Sequence, residues 1–236
     1  MKVLQFSGGL DSLACLFLLR PEWDKLTVVW CNTGSAYPET IEFIKKIADL
    51  VPNLMVVHSD KQAWEEQHGI GVAVVPENST LFSAVLRGTT GQRYSSYLSC
   101  CAHNIWLPMH RFCLGLGATE IVRGQRKNDK YKAPIESGHQ QDGIVYTFPI
   151  ELWTREMVRE YCERECPELI PEYYNNKGED SSHDCWDCIG YLEHNKSRID
   201  NLPHKQKEIV LRRIRAYNTV LELESSPLKE MIHANL

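Results

Sequence analysis

The feature that most limits what this chain can fold into is its first turn. Residues 1–6 (MKVLQF) are short and apolar, as a buried strand is. They run without a linker into Ser7-Gly8-Gly9-Leu10-Asp11-Ser12, and residues 13–19 are then apolar on nearly every face, as a buried crossover helix is. Strand, two-glycine turn and helix in so short a span form the opening half of a βαβ unit. Two readings of the turn are open on the residues alone: a tight connection, or a cradle for phosphate. Gly8 and Gly9 permit positive φ and a close approach of backbone N–H groups to oxygens. The helix N-terminus behind them adds partial positive charge. Ser7 and Ser12 supply hydroxyl donors, and Asp11 is placed to hold Mg²⁺ against the phosphates. Gly-Lys-Ser/Thr is missing from this turn, which excludes a Walker loop.

The pattern repeats downstream. Further strands are expected at 26–31 (LTVVWC), 54–57, 120–123 (EIVR) and 145–149. Helices are expected at 39–50 behind Pro38, at 102–114 apart from Pro108, and at 154–162 with Thr154 as N-cap. Alternating strands and helices predict an α/β fold: an open, mostly parallel five-stranded sheet with helices on both faces. Residues 62–99, with Gly69, Gly71, Gly88 and Gly91, read as a long loop or a cap, and 173–184 as a polar loop. Residues 199–236 are helical in composition. The expected division is a nucleotide-binding α/β domain over 1–165, with a cysteine-containing loop and helical C-terminal region over 166–236 packed on it. That tail could also pair with another subunit, making a homo-oligomer, or cover the site.

The 236 residues, 43% of them hydrophobic, suffice for a sizeable core. A net charge of −5 speaks against a large nucleic-acid duplex as partner. No apolar run is long enough for a bilayer, and nothing resembling a signal peptide precedes the first strand, so no membrane role is expected. Nine cysteines at irregular spacing, without a secretion signal, predict a reducing cytoplasmic setting rather than a disulfide framework.

Cys100-Cys101 is a tandem pair, and Cys185-Trp186-Asp187-Cys188 lies far downstream. Four such thiols suit a soft-metal site, either a [4Fe–4S] cluster or structural Zn²⁺. The alternative is packed thiols at 100 and 101 and a redox pair at 185 and 188. His183 and Asp184 read as loop residues or as donors to the sulfurs. Cys15, Cys31 and Cys113 lie in apolar runs and read as core; Cys162 and Cys166, an i,i+4 pair, read as packed thiols before a further ligand pair.

Ser-Gly-Gly-Leu-Asp-Ser resembles the PP-loop of the ATP pyrophosphatases and adenine-nucleotide α-hydrolases. Asn32-Thr33-Gly34-Ser35-Ala36-Tyr37-Pro38-Glu39-Thr40 resembles the "DTG…PET" segment of the phosphoadenylyl-sulfate (PAPS) reductase family, and Gly124-Gln125-Arg126 its Gly-x-Arg after the fourth strand. Pro149-Ile150, Trp153-Thr154, Val158 and Tyr161 resemble its "P…W…V…Y" stretch. The resemblance runs over about residues 1–165 and implies a Rossmann-like, α-hydrolase-like sheet. It implies nucleotide binding by Ser7, Gly8, Gly9, Leu10, Asp11, Ser12, Asn32, Thr33, Gly34, Gly124 and Arg126, with Asp11, Ser12 and Arg126 as the catalytic set. Lys127 and Lys130 would add charge or simply face solvent. The tandem cysteines and the C-x-x-C resemble the cluster pattern of the adenylyl-sulfate (APS) reductases in the same family, which favours iron–sulfur over zinc at Cys100, Cys101, Cys185 and Cys188.

The resemblance breaks at one point. PAPS and APS reductases carry a Glu-Cys-Gly-x-His tail that supplies the attacking thiolate, and here no cysteine follows Cys188. The first expectation is therefore an ATP-dependent transferase that cleaves ATP to AMP and pyrophosphate, in sulfur transfer or in modification of a nucleotide or nucleic acid. A sulfur donor would be its partner. The alternatives are an APS or PAPS reductase working with a thiol reductant protein, and a non-catalytic nucleotide or cluster sensor.

Overall fold

The computed structural model describes residues 1–129, 133–175, 185–191 and 198–234. Lys130, His183 and Asp184, named above, lie outside the described residues. The chain divides into two compact units, each built from two separated segments: Met1–Ser59 with Ile105–Asp184, and Asp60–Asn104 with Cys185–Leu236. This cuts the chain differently from a linear division at residue 165.

The first unit holds a six-stranded sheet. Its strands are β1 (Lys2–Gln5), β2 (Thr27–Asn32), β3 (Leu54–His58), β6 (Glu120–Arg123), β7 (Gln140–Gln141) and β8 (Ile144–Thr147), in the order β3-β2-β1-β6-β8-β7. Five are parallel, as expected; β7 is a two-residue antiparallel addition at the edge. Alternate residues along each strand feed opposite layers. Leu4, Val28 and Val122 pack with α1 (Leu10–Leu18), α2 (Pro38–Leu50) and α7 (Arg155–Glu165). Val3, Val29, Ile121 and Tyr146 pack with α6 (Leu107–Gly115). Burial on both faces explains why these strands read as continuous apolar runs rather than alternating ones. Each fully buried Val or Leu side chain contributes about 1.5–3 kcal/mol of transfer free energy.

Helix boundaries follow local chemistry. Pro38 occupies the first position of α2. The Thr154 hydroxyl accepts from Met157 N at 3.3 Å and caps α7. The expected single helix over 102–114 is instead a π-helical turn, Ala102–Trp106, followed by α6. Pro108 has no N–H to offer the preceding turn, so a regular α-ladder cannot run through it.

The second unit corrects the reading of 62–99 as a long loop. It contains α3 (Lys61–His68), β4 (Ile70–Val72), α4 (Leu81–Arg87), β5 (Tyr94–Ser96) and α5 (Tyr97–Cys101), and the C-terminal segment adds α8 (His204–Ala234). β4 and β5 pair in parallel, and Ile189 bridges to Val72. The elements are short, so no apolar period has room to build. Their order comes from caps and close approaches: Asp60 accepts from Ala63 N at 2.9 Å, and Gly69, at φ +95°, lies where a Cβ would meet the Arg93 carbonyl carbon at 2.5 Å. Tyr217 of α8 donates to Val74 O at 2.7 Å. Among the described residues no helix is long and apolar enough to cross a membrane.

Candidate functional site: the phosphate loop and its arginine

The strand order reverses between β1 and β6. Connections from β1 proceed toward β3 on one side, and from β6 toward β8 on the other. In open parallel sheets this switch point opens a crevice at the carboxyl ends of the strands. The 7–12 turn leaves the end of β1, and Gly124-Gln125-Arg126 leaves the end of β6, so both predicted motifs meet there.

Ser7 and Ser12 brace the turn. Their hydroxyls lie 3.2 Å apart, Ser7 N donates to Ser12 Oγ at 3.2 Å, and Gly9 N donates to Ser7 Oγ at 3.3 Å. Ser12 Oγ donates to Gly9 O at 2.9 Å. The two hydroxyls hold the loop's own backbone, and Gly8 takes φ +85°. Gly9 is the N-cap of α1, so the helix begins at the loop. Leu10 N donates to the Tyr174 hydroxyl at 3.3 Å.

The second segment is a turn of the same kind. Gly34 N donates to Asn32 Oδ1 at 2.9 Å and Ser35 N to Thr33 Oγ1 at 3.3 Å, with Gly34 at φ +80°. The side chains of Asn32 and Thr33 thus shape the loop beyond β2.

Gly124 explains how β6 reaches α1. A Cβ there would lie 2.5 Å from Asp11 C and 2.7 Å from Ser12 N, a clash with backbone. The approach puts Arg126 Nε 2.9 Å from Asp11 Oδ1. Asp129 clamps the same guanidinium at 2.8 Å and accepts from Arg126 N at 2.7 Å. Arg126 Nε has no hydrogen-bond partner with good geometry despite its short distance to Asp11, so charge rather than direction holds that pair. Burial pushes the Asp11 carboxyl up to about 6; Asp129 adds to the rise, while Arg126 and Arg155 oppose it. Asp129, Arg155 and Tyr174 were not singled out in the sequence. Only Asp129 carried a local signal, three residues from Arg126 in a turn.

Hard-cation chemistry fits this corner. Mg²⁺ is commonly held by one or two carboxylates together with substrate phosphates, and Asp11 and Asp129 flank Arg126. Among the described residues no group of three or more His, Cys, Asp or Glu side chains is gathered for a metal ion.

Four thiols of the first unit are raised above the ordinary thiol range. Cys15, Cys113 and Cys162 are held protonated, the first two by burial and Cys162 by its hydrogen bond with Cys166 and burial. Burial pushes Cys31, at the end of β2, up to about 11. The four remaining cysteines all fall in the second unit. Cys100 is buried on α5, and Cys101 follows it. Residues 185–188 form a turn closed by Cys188 N donating to Cys185 O at 3.2 Å. Gly190 N donates to Cys188 Sγ at 3.4 Å, and Asn104 Nδ2 approaches Cys100 Sγ at 3.7 Å. Two glycines seat α5: a Cβ on Gly71 would be 3.1 Å from Cys100 Cβ, and one on Gly190 would be 2.5 Å from Tyr97 Cβ. Cys100, Cys101, Cys185 and Cys188 are all described residues, and they are not gathered into a group of three or more that could hold a metal ion.

A parallel α/β sheet with a glycine phosphate loop and an arginine at the switch point defines a nucleotide-binding domain of the PP-loop class. The family profile for the phosphoadenosine phosphosulfate reductase domain matches residues 2–190, and the chain belongs to that family. A Photorhabdus laumondii phosphoadenosine 5'-phosphosulfate reductase is 27% identical over 174 residues, covering 72% of this chain and 64% of that protein. A Staphylococcus aureus 7-cyano-7-deazaguanine synthase is 29% identical over 96 residues, covering 34% of this chain and 43% of that protein. The chain therefore spans less than two thirds of the length of these relatives. The crystal structure of a PAPS reductase from Candida auris, a phosphate complex, shares the fold. Its TM-score is 0.53 at 15% identity, with 80% of this chain and 82% of that one covered.

Proposed function

We propose that this chain is an enzyme that binds ATP at the 7–12 turn and cleaves it at the α-phosphate to AMP and pyrophosphate, in sulfur transfer or in modification of a nucleotide or nucleic acid. The observation that carries the reading is the Asp11–Arg126–Asp129 cluster, brought against the start of α1 by the missing side chain at Gly124. The loop's backbone N–H groups and the α1 N-terminus receive phosphate oxygens. Asn32, Thr33 and Gly34 border the nucleotide at the end of β2. Arg126 offers a forked donor to the phosphate chain once an anion competes for it. Asp11 would hold Mg²⁺, which would supply positive charge against the leaving pyrophosphate. A substrate oxygen attacks the α-phosphorus, the bond to the bridging oxygen breaks, and pyrophosphate leaves with that electron pair. The adenylylated substrate then accepts sulfur or nitrogen with loss of AMP. In the second unit, Cys100, Cys101, Cys185 and Cys188 would have to draw together to hold a [4Fe–4S] cluster, with Zn²⁺ as the alternative occupant.

A reductase that attacks sulfur with a thiolate of the first unit is disfavoured, since its perturbed thiols are held as thiols. The second reading is an APS or PAPS reductase that takes its thiol from a partner protein. The named PAPS reductase relative, aligned over 72% of this chain, favours it.

Anaerobically prepared protein incubated with ATP and Mg²⁺ is expected to yield AMP and pyrophosphate, with acceptor substrates of the nucleotide class raising the rate. Asp11→Ala and Arg126→Ala are each expected to lower that rate at least a hundredfold. Wild-type turnover by both variants would remove the site assignment. Sulfite release from APS or PAPS with a dithiol protein, and no cleavage of ATP, would establish the second reading instead.

A further inference from the structure

A second arginine stands at the carboxyl edge of the sheet, on the face away from α1. Arg123 ends β6, two residues beyond Ile121, which packs in the α6 layer. Alternate residues of a strand share a face, so Arg123 lies on the α6 side, while Leu4 and Val122 pack toward α1. Its neighbour across the switch point is Gln5. Arg123 is half-buried. Burial lowers its pKa from the ordinary arginine value, and Tyr146 alone acts against that fall. Among the described residues its side chain makes no ion pair and no hydrogen bond.

Arginine stays charged in proteins, and a sheltered cation is ordinarily paired. The groups beside Arg123 are engaged elsewhere. His110 Nδ1 lies 2.7 Å from the Tyr146 hydroxyl, and His110 Nε2 lies 2.9 Å from Asp142 Oδ2. With Nε2–H donating to the carboxylate, Nδ1 takes the phenol proton. The Tyr146 ring is held between imidazoles, with centroids 6.3 Å from His110 and 6.1 Å from His139. Gln5 Nε2 turns to Cys113 Sγ at 3.9 Å. The corner therefore sets a fixed cation and two imidazoles against a carboxylate that His110 already engages, which is a setting for an anion.

We infer that Arg123 anchors a second oxyanion site, on the α6 side of the switch-point crevice, which takes a phosphate of the acceptor substrate while the nucleotide occupies the 7–12 turn. Assigning that phosphate to the acceptor rests on the proposed ATP-dependent transfer; the anion site itself does not. The Tyr146–His110–Asp142 chain is a positioning wall. It fixes the phenol and leaves the forked donor of Arg123 open to a bidentate oxyanion. An unpaired sheltered cation lowers stability, and a bound oxyanion restores it.

The test labels the full chain with phenylglyoxal, which modifies arginine, and reads the modified positions by peptide mass spectrometry. It is run with and without α,β-methylene-ATP and Mg²⁺, an analogue that resists cleavage at the α-phosphate. With the analogue present, inorganic phosphate is expected to slow labelling of Arg123 saturably, by about tenfold. Phosphate should also raise the melting temperature of the wild type by about 3 °C and that of Arg123→Met not at all. In chloride alone, Arg123→Met should melt no lower than wild type, since methionine keeps an apolar stem and removes the unpaired charge. Labelling of Arg123 that phosphate leaves unchanged would overturn the inference, as would equal phosphate stabilisation of wild type and Arg123→Met. Protection of Arg123 by the analogue alone, with nothing added by phosphate, would assign this arginine to the nucleotide and overturn the second site. Should Arg123→Met fail to fold, the wild-type labelling decides. If phosphate protects Arg123 while the analogue leaves Arg126 labelling unchanged, the anion site stands and the ATP reading fails.

Discussion

Asp11 carries the sharpest single-residue consequence. Its ordinary value is 3.8 and the fold raises it to about 6. The folded protein therefore holds this proton more tightly than the unfolded chain does. The carboxyl favours folding below its ordinary value, and that contribution is lost as pH rises toward 6. With 35% of the side chain exposed, the effect is about 1 kcal/mol once solvent screening is allowed for. Denaturant unfolding of Asp11→Asn against wild type should show the variant gaining about 1 kcal/mol in relative stability between pH 4 and pH 7. A difference that stays flat across that window would show that Asp11 is not destabilised as a carboxylate. Asp11 itself was legible in the sequence because it lies inside the loop motif. Its partner Asp129 was not, since an aspartate in a turn has many uses and only the chain's return past Gly124 gives it this one.

At the scale of elements, capping and glycine chemistry decided most boundaries. Thr154 was readable as an N-cap, and its hydroxyl does accept from Met157 N. Thr154→Ala should cost about 1 kcal/mol in chemical denaturation while leaving nucleotide affinity unchanged. A loss of affinity of tenfold or more would mean that the start of α7 belongs to the nucleotide site. The long apolar strands were equally readable, since burial on both faces writes continuous Val, Leu and Ile runs. The elements between α3 and α5 were not. β4 and β5 have three residues each, too few for any period to show. They are ordered by where Gly69 and Gly71 allow backbones to touch. The π-turn before α6 escaped for a related reason: Pro108 marked an interruption without saying how the helix would absorb it.

On the scale of the whole molecule, each unit is assembled from segments far apart in sequence. The loop after β1 and the loop after β6 meet, as the proposed nucleotide site requires, only because those strands are neighbours at the switch point. ATP with Mg²⁺ should therefore slow amide hydrogen exchange in 7–13 and 123–129 together. Protection confined to 7–13 would mean that Arg126 does not reach the nucleotide. The sequence by itself determined the class of fold, the phosphate turn and the family, because these are written in contiguous residues whose local chemistry admits few conformations. Tertiary structure alone decided that Arg126 meets Asp11, and that Lys61 and Arg213 both meet Asp187. Those pairings join residues that no local period or motif connects, and they exist only where folding brings backbones close enough for opposite charges to meet away from water.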